Sequence, residues 1–287
     1  MDAARRRRFV GRRLQAVACA LALVIAGVAT GAAQDWQPFE RWLRWEPQMP
    51  TNATQDGGFH FCRGMYQSGG YGRRGGGWAT DFPSADVNFS IRLAELTKTT
   101  VPKTPEGEPA HLVVRLTDDM MFQCPFILMS EVGALYFRDD EIPRVRAYLE
   151  KGGFIWVDDF WGSAAWDSWE ENIVKVLPAP EYRIVDLPDD HPMFRTMFQR
   201  NDGVPQIPSI NFWYGSGGGT SERGYDSQEV HQRAILDKHG RLMVLMTHNT
   251  DVADSWEREG EDRDYFFNFS VDGYAVAINT LIYVMTH

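Results

Sequence analysis

Positive charge is scarce in this 287-residue sequence, where 29 Lys and Arg stand against 39 Asp and Glu for a formal net charge of −10. That balance argues against nonspecific nucleic-acid binding, which needs cations to meet phosphates. Cysteine is rarer still, at three residues, too few for a disulfide framework or a zinc cluster. The glycine, lysine and hydroxyl spacing of a phosphate loop is absent, as is the GxSxG elbow of a serine hydrolase. What the chain does have is aromatic bulk. Its 37 Trp, Tyr and Phe residues need a core to pack in, which excludes general disorder and fits one or two compact domains.

The charge is unevenly spread. Residues 1–33 carry Arg5 to Arg8, Arg12 and Arg13 against Asp2 alone, so residues 34–287 keep 23 basic and 38 acidic side chains, a formal −15. The basic start runs into the apolar LQAVACALALVIAGVAT of 14–30 and the small residues Gly31, Ala32 and Ala33. This is the pattern of a signal peptide cleaved near Ala32 or Ala33. An uncleaved N-terminal membrane anchor is the alternative, since the run is at the short end of the ~17–25 residues that span a bilayer. Arg6 and Arg7 with Phe9 also suit twin-arginine export. Either route gives an exported protein of the periplasm or outward-facing envelope. Cys62 and Cys124 then remain, as one disulfide or as two separately packed thiols.

Residues 34–57 read as an irregular lead-in interrupted by Pro47 and Pro50. Residues 58–287 read as a single α/β domain. A strand near 59–62 leads into a loop with glycines at 69, 70 and 75–77, between which Arg73 and Arg74 can meet an anion; a solvated structural loop is the plainer alternative. Ser84 is placed to cap a helix with Phe89, Leu93 and Leu96 on its apolar face. Strands are expected at 111–116 and 125–129, a helix at 141–149 and the strongest strand at 154–160, FIWVDDF. The last three elements have the order of a parallel crossover unit.

That strand ends in Asp158, Asp159, Phe160 and Trp161, at the edge where open α/β sheets bind ligands. Paired carboxylates there can hold a cation or manage protons; otherwise one caps the next helix and the other accepts backbone amides. Further on, Asp189, Asp190 and His191 read as a tight turn more readily than as a metal site. RAILD and RLMVLMTHN read as paired strands turning around 238–240. The second ends at His248, Asn249, Thr250 and Asp251, shortly before Asp254 and Trp256. His248 is a base or ligand on one reading and a hydrogen-bonded structural histidine on the other. Residues 271–285 close the chain as an apolar helix.

Several segments together, GGGWATDFPSADVNF, RLTDDMMFQCPFILMSE, GGFIWVDDFWG, QIPSI, HNTDVADSWEREGE and VMTH, resemble the bacterial family catalogued as domain of unknown function 4159. The resemblance covers most of 58–287. It implies a three-layer α/β fold, flavodoxin-like or class I glutamine-amidotransferase-like, with a mostly parallel sheet and flanking helices. It supplies no reaction. The residues do not support amidotransferase or serine/cysteine hydrolase chemistry either, since Cys124 precedes its strand, Cys62 precedes a glycine-rich loop and Ser130 lies in SEVG.

The expectation is therefore a non-catalytic ligand- or partner-binding protein of the envelope, with no cofactor and no nucleic-acid partner. Its cleft gathers Asp158, Asp159, Trp161, His248, Asn249 and Trp256, with Arg73 and Arg74 as further contacts, and the tryptophans cover an apolar or sugar-like surface. One alternative is a cation-assisted hydrolase, in which Asp158 and Asp159 hold a divalent cation and His248 acts on water. The other is a structural subunit of an envelope assembly.

Overall fold

A computed structural model describes residues 57–68 and 77–287. The expected signal or anchor at 1–33, most of the lead-in at 34–57, and Arg73 and Arg74 lie outside the described residues. Of two compact units, Met1–Gln48 is likewise outside them, and the account below concerns the second, Met49–His287.

The described chain runs through β1 (Phe61–Met65), β2 (Gln67–Ser68), α1 (Ser84–Thr97), β3 (His111–Arg115), β4 (Ile127–Ser130), β5 (Leu135–Tyr136), α2 (Ile142–Glu150), β6 (Ile155–Phe160) and α3 (Ser163–Val176). It continues through β7 (Ile184–Asp186), α4 (Ile210–Ser216), β8 (His231–Leu236), β9 (Leu242–His248), α5 (Asp254–Glu257), α6 (Arg263–Tyr265) and α7 (Val271–Thr286). Seven strands form one sheet in the order β3-β1-β4-β6-β9-β8-β7. The first five run parallel; β8 and β7 add an antiparallel edge. The fold is thus α/β with a mostly parallel central sheet. β2 and β5 pair separately.

Alternation along the strands fills two cores, one on each face. Cys62, Ile127, Met129, Ile155, Val157, Val244 and Met246 meet Tyr148 of α2 and Trp169 and Ile173 of α3. Phe61, Leu128, Trp156 and Leu245 meet Phe89 and Leu93 of α1 and Val276 and Ile278 of α7. All six residues of β6 are buried, as expected for the middle of a parallel sheet covered by helices on both sides. Helix α7 lies close over this second core at Gly273, where an added Cβ would collide with Ser255 Oγ.

Three local expectations are refined. Ser84 is the first residue of α1, and the capping position before it is Pro83, which supplies no side-chain cap. The strand near 59–62 begins at Phe61 and runs on to Met65. Cys62 and Cys124, left open between two arrangements, form a disulfide.

The chain leaves β1 through α1 to β3 on one side, then crosses back to β4 on the other. Adjacent connections therefore diverge at β1 and β4, and a crevice opens beyond their carboxyl ends, the usual ligand position of such sheets.

Candidate functional site

Arg63 on β1 is completely buried at this crevice. Its Nε donates to Asp86 Oδ1 and Oδ2 at 3.0 and 3.2 Å, and Nη2 donates to Asp86 Oδ1 at 2.5 Å. A buried guanidinium needs such pairing to offset its lost hydration. The remaining nitrogen, Nη1, donates to Thr80 O at 2.9 Å and to Ser130 Oγ at 3.1 Å. Arg63 thereby ties the turn before α1 to the end of β4 and holds Asp81 over the crevice. Ser130, read as an unlikely nucleophile, is fully buried and occupied as this acceptor.

Backbone conformation marks the same edge. Five described residues other than glycine have positive φ, and three of them line the crevice: Asp81 (63°), Glu131 (50°) and Asp159 (55°). L-residues seldom adopt this region, and it recurs where surrounding contacts hold a functional site in place. At Asp159 the cause is visible in the ladder. The β6–β9 register shifts between Val157 and Phe160, so an extra residue bulges out and Phe160 returns to the face that holds Val157. The bulge turns Asp159 toward the crevice, where Trp161 Nε1 donates to its Oδ1 at 2.9 Å.

The crevice opens into a cleft of about 1050 Å³. Eight carboxylates line it, against two guanidinium groups, Arg223 and Arg258, with Phe160 and Trp161 on the aromatic side. Arg258 is already engaged by Glu257 at 2.6 Å and Glu261 at 2.9 Å. At the inner end Asp81, Asp251 and Asp254 converge, each offering an oxygen within 4.8 Å of the others, and all three are buried. Asp251 Oδ1 accepts the Asp254 amide at 2.9 Å, and Asp254 Oδ2 accepts from Ile210 N and Tyr265 Oη, both at 2.9 Å. Asp81 Oδ2 is buried and accepts no hydrogen bond.

Burial raises the pKa of the aspartates at 81, 158, 159, 251 and 254, and repulsion between neighbouring carboxylates adds to it at Asp81, Asp159 and Asp251. Asp81, Asp159 and Asp251 lie well above the ordinary carboxylate range, burial first and the neighbouring aspartates next. Asp254 is pushed up to about 6 by burial, against the lowering effect of the Ile210 amide. Asp158 is pushed up to about 7 by burial, against hydrogen bonds from Thr247 and the backbone.

The expected site residues divide. Asp159 and Trp161 line the cleft. Asp158 does not; it points into the second core, where Oδ1 accepts from Thr247 Oγ1 at 2.5 Å and Oδ2 from the Ala253 amide at 3.0 Å. His248 faces the opposite side of the sheet, registered with Phe160 and against Phe160, Trp166 and His231, with ring centroids at 4.9, 5.4 and 5.6 Å. Its Nε2 meets Gly162 O at 3.0 Å. Burial lowers its pKa to about 4, which makes it a neutral packed ring. Asn249 is spent on the backbone, accepting from Gly162 N and donating to Glu229 O, both at 2.8 Å. Trp256 has no exposed surface and packs between Phe89, Trp156 and Tyr274. His248, Asn249 and Trp256 therefore offer a cleft ligand nothing, because alternation and packing direct them elsewhere. His191 of the 189–191 turn accepts the Met193 amide at 3.2 Å, and Asp189 accepts from Gln232 at 2.9 Å, as a turn requires.

Asp81, Glu131, Asp251 and Asp254 were missed as site residues. Asp81 lies in TDFP, which reads only as the approach to a helix, and no local pattern links it to residues 170 positions later. Asp251 and Asp254 did have a signal, two acids three apart at a strand-to-helix turn. Gly162 fixes the opposite wall: at φ 81° a Cβ there would lie 2.5 Å from Asp226 Oδ2, the oxygen that accepts Ser163 N at 2.9 Å and meets the start of α3.

Residues 67–285 match the model of a family described as Domain of unknown function (DUF4159). No curated protein matches the chain.

Proposed function

Because the chain belongs to the DUF4159 family, whose description carries no activity, we propose a function from the site itself: an exported, non-catalytic binding protein of the cell envelope whose cleft takes a positively charged ligand. The observation that carries this reading is the cleft's composition, eight carboxylates against two guanidinium groups at the carboxyl edge of the parallel strands. Acidic walls of low dielectric concentrate cations, and the Trp161 ring adds a face on which a cation can rest. The Cys62–Cys124 disulfide supports export, because such bonds persist in oxidising compartments, and so does the basic-then-apolar pattern of 1–33. Among the described residues no helix is long and apolar enough to cross a membrane, so an anchor, where one operates, rests on that segment.

The finer fold reading belongs here as well. In order of appearance the five parallel strands follow 2-1-3-4-5, the order of flavodoxin-like sheets, which supports the flavodoxin-like or amidotransferase-like alternative. The hydrolase alternative is weakened, since the histidine it assigned to water activation is packed against Phe160, Trp166 and His231 and does not line the cleft. A structural-subunit role draws on the same acidic surface and has no separate observation in its favour.

Trilysine is a suitable probe, titrated calorimetrically into the purified full chain. Saturable binding is expected, weakened by salt and about tenfold or more by Asp159→Asn. Failure of trilysine to bind at low salt overturns the reading.

A further inference from the structure

Three carboxylates, each more than nine-tenths buried, do not ordinarily share one small space without something between them. Asp81, Asp251 and Asp254 do so at the inner end of the cleft, on two separate turns, before α1 and after β9, that the packing of α5 against α1 brings together. The nearby cations are otherwise committed. Arg63 is paired with Asp86 and bonded to Thr80 and Ser130, and Arg258 Nε reaches Asp254 Oδ1 only at 4.0 Å while holding Glu257 and Glu261. Asp251 and Asp254 each commit an oxygen to a backbone amide, which fixes their orientation. Asp81 does the opposite: one carboxylate oxygen is buried inside the cluster with no donor. An unpaired buried carboxylate oxygen is among the costliest groups to leave unsatisfied, and no described side chain relieves it.

We propose that Asp81, Asp251 and Asp254 form a binding site for a hard divalent cation, Ca²⁺ or Mg²⁺. The donors are all carboxylate oxygens, with no histidine or thiolate among them, which selects hard cations over zinc or copper. Three protein ligands fall short of the six to eight that such ions take, so the remaining positions face the cleft and are left to water or to a ligand's oxygens. The inference rests on reading the cleft as a cation-binding site, but it assigns the inorganic ion to the inner end and leaves the outer wall at Asp159 and Trp161 to the organic one.

The test is equilibrium dialysis of the purified full chain against CaCl₂ or MgCl₂, with bound metal measured by atomic emission. One equivalent of at least one ion is expected. Asp81→Asn and Asp251→Asn should each weaken uptake more than about tenfold, whereas His248→Phe, outside the cleft, should retain it. Without metal, Asp81→Asn should melt at the same or a higher temperature than the parent, because it removes a buried charge, and it should lose the metal-induced rise in melting temperature. A purely structural Asp81 predicts a lower melting temperature and an unchanged metal response. Absence of stoichiometric uptake of both ions, or uptake insensitive to both aspartate variants, overturns the proposal. Trilysine binding separates the two readings, since it depends on Asp159 and should survive in Asp81→Asn.

Discussion

Two polar groups lie at the same carboxyl edge, on opposite faces of the sheet, and they answer burial differently. On one face His248 gives up its charge: its ring stacks among Phe160, Trp166 and His231, Nε2 has a carbonyl partner, and the neutral imidazole can leave Nδ1 unpaired. On the other face Asp81, Asp251 and Asp254 crowd together with an oxygen unsatisfied. A neutral ring with one bare acceptor costs little beside a carboxylate in the same position. The difference marks the histidine face as architecture and the aspartate face as the place where a partner is needed.

The sharpest way to break this comparison is to remove the residue that holds the acidic face in place. Arg63→Met would leave Asp86 buried without a partner, and a loss of about 3–5 kcal/mol in urea-unfolding stability is expected. A change below about 1 kcal/mol would mean that the pair does not organise the crevice. A loss of similar size, about 3–5 kcal/mol, is expected for Trp256→Ala, which empties the core around Phe89 and Trp156. Trilysine affinity per folded molecule should nevertheless be unchanged. Weakened binding there would show that Trp256 reaches the ligand after all.

The smallest effect is one of sign. Asp158 and Asp254 have folded pKa values raised to about 7 and about 6, so the native state holds more protons than the unfolded one above their ordinary carboxylate range. Their contribution is complete below about pH 4 and is lost as pH rises through about 6 to 7. His248 runs the other way. Its folded value near 4 lies below its ordinary 6.5, so its contribution is present above pH 6.5 and is lost as pH falls through 4. Metal-free unfolding from pH 4 to pH 8 should therefore show the two partly cancelling, and His248→Phe should steepen the decline in stability with rising pH. A shallower decline in that variant would show that the histidine is not buried neutral.

Much of this architecture is legible along the chain. The apolar run ending in two aspartates, the hairpin around 238–240, the helix after 271 and the crossover from 125 to 158 all follow from local period and turn chemistry. The site was only half legible. Asp159 and Trp161 follow directly from the end of a buried strand. Asp158 and His248 obey plain alternation, which turns Asp158 away from Val157 and His248 to the face of Met246, whereas the bulge that turns Asp159 into the cleft has no local signal. Trp161 and Trp256 look equivalent in sequence, yet one borders the cleft and the other closes a core behind a one-turn helix. Asp81 became meaningful only when α1 came to lie against α5, a long-range event that leaves no trace in the neighbourhood of TDFP.

The disulfide acquires its significance from the same pair of strands. Cys62 is the second residue of β1 and Cys124 lies three residues before β4, so the bond clasps their entrances, at the end remote from the cleft. With Arg63 and Tyr66 bonded to Ser130 at the other margin, the two strands are riveted at both ends, so the floor beneath the acids is a fixed plate rather than a hinge.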